Sequence, residues 1–353
     1  MKKTVARNLI LAVLGLFIGQ GLAGLFNKQP EKILQVGEDL VAARMSVDGS
    51  HLAGVGKRQN GWFLQIWNRR GREVVKALDL PKPPGRYPAF DWSPDGRKVA
   101  VAAADRVWIV DLKDGKRTEL QAGPEIRAVE YRGRLLMART RTATLLWEEG
   151  KLCWRLDQNY LLHSALSEDG SLLATSCFDD GVRVFDIKRK RQIDHYAPGH
   201  LSSGLKFGAG GKLLTSGFRY RGDRRQDQIV TFHISSGKPI GPSLSTPTLY
   251  GFDLTPDGTR VVSRQASGAT LWDTKTGAVL GRRSEPSRLL DVISPDGRFV
   301  CSERGAGLAC VWTSRGADPE FTFRCPKPLT DMSFPQTDEV LLVGGQASLW
   351  KIP

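Results

Sequence analysis

Ser294-Pro295-Asp296-Gly297 is one copy of a short turn sequence that recurs along almost the whole chain and decides its fold. Clear relatives are Ser93-Pro94-Asp95-Gly96, Ser167-Glu168-Asp169-Gly170 and Thr255-Pro256-Asp257-Gly258. Apolar strands follow the turns, and a later strand of each repeat ends near an aromatic or aliphatic residue: Trp67, Val110, Trp147, Phe185, Phe232, Trp272, Trp312 and Trp350. These positions are 43, 37, 38, 47, 40, 40 and 38 residues apart, a mean of about 40, which is the period of four-stranded propeller blades. Such small sheets cannot bury both faces alone, so the spacing predicts a ring of packed sheets.

Four strands fit nearly every repeat across residues 32–353. In the sixth repeat they cover 250–255, 260–265, 270–273 and 278–282, with turn residues between them. The last repeat has only three strands, at 329–334, 339–344 and 348–352, while a spare strand lies at 33–36. If the spare strand completes the last repeat, both open edges are paired and the ring closes. We therefore predict an all-β, eight-bladed β-propeller, with seven blades and one displaced repeat as the alternative.

The first residues have the pattern of an export signal. Lys2, Lys3 and Arg7 precede an apolar run at residues 9–26, and Gly21-Leu22-Ala23 is a suitable small-x-small cleavage site. The run is at the short limit for a membrane-spanning helix. Residues 1–31 are therefore expected to be a cleaved signal peptide, or an uncleaved signal anchor in the membrane, plus a short linker. Either one places the propeller, residues 32–353, in the periplasm or on the outer side of the cytoplasmic membrane, because the positive charge stays inside.

The chain is basic, with 51 Lys and Arg against 37 Asp and Glu and a net charge of +14. Such a field attracts anionic partners, including acidic lipid headgroups, glycans and acidic proteins, whereas nucleic acid is not expected outside the cytoplasm. The alternative is that arginine is used on every solvated face. Two loops between second and third strands, at residues 56–61 and 219–227, are interpreted as lengthened and basic. Their candidate partner-binding residues are Lys57 and Arg58 in the first repeat, and Arg219, Tyr220, Arg221, Arg224 and Arg225 in the fifth. Arginine beside an aromatic ring suits planar or phosphate-bearing ligands.

The repeats resemble the WD40-repeat family, over roughly nine-tenths of the chain and best at Thr270-Leu271-Trp272-Asp273-Thr274-Lys275-Thr276-Gly277. Gly199-His200 is similar to the family's entry to a repeat. The family's side-chain tetrad would join His200, Ser216 and Asp227 to an indole, but Phe232 stands at the indole position. The Ser-Pro-Asp-Gly turns are also similar to those of TolB-like propellers, which fits export. The resemblance implies a monomeric scaffold or recognition platform for a protein partner, without a cofactor.

Sequence patterns for catalysis and metal binding are missing. The five histidines lack a spacing suited to zinc, and there is neither a nucleophile elbow nor a phosphate-binding loop that opens a helix. We therefore expect a non-enzymatic protein with no catalytic, cofactor or metal residues. The alternative is an exported propeller hydrolase or lactonase with acids in the central channel. First-strand positions offer four candidates for it: Asp91, Asp253, Asp291 and Asp331.

The five cysteines cannot all pair within one chain. Cys301 and Cys310 flank Gly305-Ala306 symmetrically, and a two-residue turn there would set them opposite each other for a cross-strand disulfide. The alternative, which we favour, is that these two and Cys325 are small apolar fillers between blades. Cys153 and Cys177 fall in separate blades and fit core positions.

Overall fold

A computed structural model describes residues 30–70, 73–83, 88–178, 180–197, 199–219, 226–289, 291–314 and 316–353. Within these ranges the regular structure consists of β-strands and one short 3-10 turn at Ala209–Gly211, which confirms the all-β expectation. No helix in the same ranges is long and apolar enough to cross a membrane. The expected signal peptide or signal anchor lies outside the described residues.

The first four repeats contain strands β1 to β16. The first is built from β1 (Glu31–Met45), β2 (His51–Arg58), β3 (Gly61–Asn68) and β4 (Val74–Leu80), and the second from β5 (Phe90–Trp92), β6 (Lys98–Ala103), β7 (Arg106–Asp111) and β8 (Arg117–Gln121). The third comprises β9 (Ala128–Arg132), β10 (Leu135–Arg139), β11 (Ala143–Glu148) and β12 (Lys151–Asp157), and the fourth β13 (Leu161–Leu166), β14 (Leu172–Cys177), β15 (Val182–Asp186) and β16 (Arg191–Tyr196).

The remaining repeats contain β17 to β32. The fifth comprises β17 (Leu201–Gly208), β18 (Leu213–Arg219), β19 (Asp227–His233), β20 (Lys238–Pro239) and β21 (Leu244–Thr246), and the sixth β22 (Leu249–Leu254), β23 (Arg260–Gln265), β24 (Gly268–Asp273) and β25 (Val279–Arg283). The seventh comprises β26 (Val292–Ile293), β27 (Phe299–Gly305), β28 (Leu308–Thr313) and β29 (Gly316–Arg324), and the eighth β30 (Asp331–Gln336), β31 (Glu339–Val343) and β32 (Gly345–Lys351).

The strands of each repeat pair antiparallel, and strands consecutive in the chain are hydrogen-bonded neighbours within a repeat, except β20 and β21. The second, third, fourth, sixth and seventh repeats form four-stranded sheets. In the fifth repeat, β20 and β21 both pair with β19. The first and eighth repeats share one seven-stranded sheet, in the order β30-β31-β32-β1-β2-β3-β4. This order matches the strand assignments made from the sequence.

Strand β1 joins the two ends of the described chain. Its first half pairs with β32, beginning at Glu31 opposite Lys351. Its second half pairs with β2 and ends at Met45 opposite Leu52. Gly37, with a φ of 77°, lies between the halves, where a left-handed backbone lets the strand change direction without a Cβ clash. The predicted completion of the last repeat by residues 33–36 is therefore confirmed.

Hydrophobic side chains fill the spaces between successive sheets. The described residues form eight buried hydrophobic clusters, and each combines side chains from two successive repeats. One of them joins the eighth repeat to the first and contains Leu34, Trp67, Leu341 and Leu349. The sheets therefore pack into a closed ring. First strands of successive repeats contact one another, so these strands line the centre of the ring.

The Ser-x-Asp-Gly turns close the first hairpin of several repeats in the same way. In the second repeat, Ser93 Oγ donates to Asp95 Oδ1 at 2.6 Å and accepts the backbone N–H of Lys98 at 2.9 Å. Equivalent pairs of hydrogen bonds occur at Ser46, Ser167, Thr255 and Ser294. The side chains satisfy backbone groups locally, so the motif that revealed the repeat has a structural role.

Candidate functional site

The first predicted basic loop is a tight hairpin. Lys57 and Arg58 are the last residues of β2, and Arg58 pairs with Gly61 across a two-residue turn. The prediction of a lengthened loop at this place is wrong, because both strands continue to the turn. Both basic side chains are exposed, and the Arg58 guanidinium lies 4.2 Å from the centre of the Phe63 ring. A cation–π contact thus holds Arg58 against its own sheet.

The second predicted basic loop follows Arg219, the last residue of β18. Of its candidate residues, Tyr220, Arg221, Arg224 and Arg225 lie outside the described residues, and their role stays a prediction. The Nε atom of Arg219 is 3.8 Å from Oδ2 of Asp227, and the same oxygen accepts the backbone N–H of Leu249 at 2.7 Å. An acid therefore offsets part of the charge of the one described arginine of this loop.

The register of the seventh repeat keeps its two cysteines apart. Cys301 lies opposite Val311, whereas Cys310 lies opposite Ser302, because an irregularity near the turn shifts the pairing by one residue. The predicted disulfide therefore does not form, and every cysteine is a free thiol. The cysteines of the last two repeats are buried in the clusters between sheets, in agreement with the favoured role of apolar fillers. Cys177, Cys301, Cys310 and Cys325 are buried, and Cys153 is partly buried.

Acids of the inner strands bond the backbone of the next repeat. Asp91 Oδ2 accepts the N–H of Tyr131 at 3.0 Å, and Asp253 Oδ2 accepts the N–H of Ile293 at 3.1 Å. Glu130, which occupies the matching place in the third repeat, lies 3.4 Å from the N–H of Leu166. These contacts connect successive sheets around the ring. They are a repeated structural device, in which each N–H donor belongs to the repeat that follows the repeat of the accepting acid.

Nearby cations neutralise the acids that the hydrolase alternative would use. Asp253 forms an ion pair with Lys206. Burial raises the pKa of Asp331, and the positive charge of Arg44 opposes this rise. Asp291 directly precedes β26 and is buried, but in the described chain it makes no such hydrogen bond to the next repeat. Burial raises its pKa to about 6. In the described ranges no three His, Cys, Asp or Glu side chains could hold a metal ion. The observed contacts favour a structural role for Asp91, Asp253 and Asp331, whereas both carboxylate oxygens of Asp291 are buried without a hydrogen-bond partner among the described residues.

Only part of the expected family tetrad is recognisable. In the fifth repeat Ser216 Oγ lies 3.1 Å from Ser202 Oγ, and Phe232 stacks on Tyr196 with ring centres 4.3 Å apart. Indole–hydroxyl bonds occur instead in later repeats. The indole N–H of Trp272 donates to Ser263 Oγ, and that of Trp312 donates to Ser302 Oγ, both at 2.9 Å.

The described residues line several cavities, of which two are similar in volume. One, of about 610 Å³, lies among first strands at the centre and contains the paired charges described above. The other, of about 570 Å³, lies between the second and third repeats. It forms beside the third repeat's shortened turn, where Arg132 pairs directly with Leu135. Acids and bases alternate in its lining, among them Asp95, Lys98 and Arg134. Neither cavity presents a surface of one charge or an uninterrupted apolar wall.

A pair of exposed aromatic rings forms the most distinctive surface of the described chain. Tyr160, between β12 and β13, is 63% exposed, and Phe178, directly after β14, is 41% exposed. Their ring centres are 6.4 Å apart, and the Arg141 guanidinium lies 6.0 Å from the centre of the Tyr160 ring. We call Arg141, Tyr160 and Phe178 the aromatic patch.

Backbone hydrogen bonds fix the three loops of the aromatic patch to one another. The N–H of Phe178 donates to the carbonyl of Tyr160 at 3.1 Å, and the N–H of Leu161 donates to the carbonyl of Arg141 at 3.0 Å. The patch is thus preorganised at the end of the ring that carries the connections between second and third strands. Sequence reasoning missed it, because single aromatics in turns contribute nothing to a repeat pattern.

Comparisons with known proteins identify the architecture. No protein-family model and no curated protein matches the sequence. Among solved structures, the C-terminal WD40 domain of Sif2 is 17% identical, with a TM-score of 0.71 over 93% of this chain and 99% of that one. The chain has a WD40-type β-propeller fold.

Two further propellers support this conclusion. The computationally designed Ika8 protein is 15% identical, with a TM-score of 0.68 over 91% of this chain and 98% of that one. The β-propeller domain of Myceliophteria thermophila Cps50 (Swd1) is 13% identical, with a TM-score of 0.59 over 92% of this chain and 100% of that one. At these identities the likeness is one of fold, and it confirms the resemblance seen in the repeats.

Proposed function

We propose that this propeller is a non-catalytic interaction platform that binds a partner protein through the aromatic patch. The exposure of Tyr160 and Phe178 carries the proposal. Large aromatic side chains flanked by arginine are the residue types that contribute most to protein–protein binding. A rigid ring that presents such residues on loops is suited to recognition. The hydrolase alternative is less well supported, because three of its four candidate acids, Asp91, Asp253 and Asp331, are engaged by backbone groups and cations.

The platform is proposed to be a monomeric ring of eight blades, with the seven-stranded sheet counted as two blades that share β1. The eight repeat positions in the sequence and the eight clusters between sheets support this count. Seven blades would require one repeat outside the ring, although all repeats of the described chain take part in a cluster with a successor.

Export is proposed from the sequence of the first residues. Residues 1–31 would be a signal peptide or signal anchor, and residues 32–353 would form the propeller beyond the cytoplasmic membrane. A reporter enzyme that works only outside the cytoplasm, fused after Pro353, should then be active. Activity of a cytoplasm-only reporter at the same junction would contradict export.

An anionic partner is the proposed explanation of the basic loops. The net charge of +14 and the exposed Lys57 and Arg58 side chains support it. Replacing the four arginines at positions 219, 221, 224 and 225 by serine should weaken binding at low salt and matter little at high salt, since exposed charges act over about 10 Å at 0.1 M salt. Unchanged affinity at low salt would contradict this part of the proposal.

A paired-variant capture experiment tests the docking surface. The double variant Tyr160→Ser/Phe178→Ser should lose proteins that the parent retains in quantitative affinity capture. The matched control is Val47→Ser/Leu152→Ser, which removes two exposed apolar side chains from the opposite end of the ring. We expect the control to retain the same proteins as the parent. Equal retention by all three proteins would contradict docking through the patch.

A further inference from the structure

Two basic side chains lie beside the aromatic patch on the side nearer the centre of the ring. Arg139 is the last residue of β10, two positions before Arg141, and its carbonyl accepts the N–H of Arg127 at 2.7 Å. His163 lies on β13, the first strand of the next repeat, three positions after Tyr160. Strand β13 contacts both β9 and β10. We call Arg127, Arg139 and His163 the cationic cluster.

No acid of the described chain neutralises the inner members of the cationic cluster. The Nε atom of Arg139 is buried and has no hydrogen-bond acceptor among the described residues. The acid nearest to Arg127 is Glu125, at 3.5 Å, and both side chains are about half exposed. Elsewhere on the ring, the half-buried arginines Arg69 and Arg132 each have a carboxylate within 3 Å. Buried Nε atoms without a hydrogen bond also occur in Arg183, Arg264 and Arg283. Each of those guanidinium groups has a carboxylate or carbonyl partner nearby, whereas the Arg139 guanidinium has none among the described residues.

The cluster carries an electrostatic cost in the free protein. Burial lowers the pKa of Arg139 to about 10, and Arg127 lowers it further. Burial also lowers the pKa of His163 to about 4, with a contribution from the positive charge of Arg139. Charged groups are normally buried only when they are paired. An anion bound at this place would supply the missing partner.

We infer that the cationic cluster binds a carboxylate side chain of an acidic peptide segment whose neighbouring apolar residue lies on the aromatic patch. The inference rests on the proposed docking function and specifies the chemistry of the partner. Arg139 would form paired hydrogen bonds with the carboxylate, since a guanidinium matches its planar geometry. His163 would donate a further hydrogen bond from its ring. Arg141 would remain at the rim over Tyr160.

The spacing of the two surfaces fits an extended peptide. Arg139 ends β10 and Arg141 lies two residues later in the turn to β11, so the backbone between them spans at most about 7 Å. Side chains two positions apart on an extended peptide point to the same side with the same spacing. The predicted partner segment therefore has Asp or Glu two positions from an apolar residue. A small inorganic anion would bind to the cationic cluster without contacting the aromatic rings.

The ring signals of His163 and Tyr160 report directly on both surfaces. The full-length protein, with labelled histidine and tyrosine, is titrated by NMR with acetate, with phosphate, and with the peptide acetyl-Gly-Glu-Gly-Leu-Gly-amide or its Gln counterpart, at constant ionic strength. Acetate and the Glu peptide should shift the His163 signal saturably and raise the pKa of that residue. The Glu peptide should also shift Tyr160. Phosphate that binds more tightly than acetate, or the Gln peptide binding as well as the Glu peptide, would overturn the inference.

A matched pair of variants assigns the effect to the cluster. Arg139→Gln should weaken binding of the Glu peptide by about tenfold or more, because a hydrogen bond to a charged group is lost. Arg155→Gln, which removes a half-exposed arginine of the same repeat that already pairs with Asp157, should change the affinity less than about twofold. Equal affinities of the two variants would overturn the inference. If capture still depends on Tyr160 and Phe178 in that case, docking stands and the partner is not acidic.

Discussion

The seven-stranded sheet and the aromatic patch with its cationic cluster use their side chains in opposite ways. In the sheet, both halves of β1 have neighbours, and Leu34 is 1% exposed inside the cluster that joins the last repeat to the first. On the patch, Tyr160 and Phe178 extend into solvent and the Nε–H of Arg139 lacks an acceptor. Both regions come from the same kind of four-stranded repeat.

The difference separates residues that stabilise the ring from residues that are available to a partner. Proteins generally satisfy local rules of packing and pairing, and they depart from them mainly at functional sites. The seven-stranded sheet follows these rules, and changes there should cost stability. The patch and the cluster depart from them, so changes there should cost binding while stability remains the same or increases.

The largest loss of stability is expected at the closure of the ring. Leu34→Ala should lower the free energy of unfolding by about 2–5 kcal/mol, because it leaves a cavity between the joined repeats. Gln35→Ala, at the neighbouring exposed position, should change it by less than about 0.5 kcal/mol. Urea unfolding of both variants measures the difference. Similar values for the two would show that β1 does not hold the ring closed.

Acid should destabilise the protein through His163. The folded protein keeps this histidine neutral down to a pKa of about 4, whereas an unfolded histidine titrates near a pKa of about 6.5. The unfolded state therefore binds more protons between these values, and stability falls as the pH is lowered through them, by up to about 3 kcal/mol. His163→Asn should show a correspondingly smaller fall. Asp291, with its pKa raised to about 6, acts in the opposite direction equally in both proteins.

A gain of stability is expected when the cationic cluster loses its central charge. Arg139→Met should raise the free energy of unfolding by up to about 1 kcal/mol, since it removes a half-buried guanidinium with an unpaired N–H and keeps the apolar length of the side chain. Arg155→Met should be within about 0.5 kcal/mol of the parent. Thermal unfolding of the parent and of both variants measures these differences in stability. A clear loss of stability in Arg139→Met would mean that the guanidinium is part of the framework.

The fold was predictable because its determinants repeat. The period of about 40 residues, the Ser-x-Asp-Gly turns and the unpaired edges at both ends are visible in the sequence. Gly56 was misread as the start of a loop. A Cβ there would lie 2.3 Å from the Phe63 ring, so the glycine makes room for an aromatic residue inside a hairpin. The register that would place Cys301 opposite Cys310 is wrong. The irregularity near Gly305 that shifts this register has no sequence signal of its own.

The candidate site was not predictable to the same degree. The sequence directed attention to runs of basic residues, and the run at Lys57 and Arg58 proved to be part of a tight hairpin. Tyr160 and Phe178 are single residues in two separate turns, and the antiparallel pairing of β13 with β14 brings their rings together. Likewise, the missing partner of Arg139 is a property of its surroundings in space.

Site-specific photocrosslinking in the protein's own cells tests the docking surface most directly. Benzoylphenylalanine is placed at position 160 or 178 on the patch, and at position 47 or 152 at the opposite end of the ring as the control. These four sites carry exposed apolar side chains, so their stability should change little. We predict a discrete protein adduct from positions 160 and 178 and none from positions 47 and 152. Adducts from the control positions alone, or none from any of the four, would contradict it.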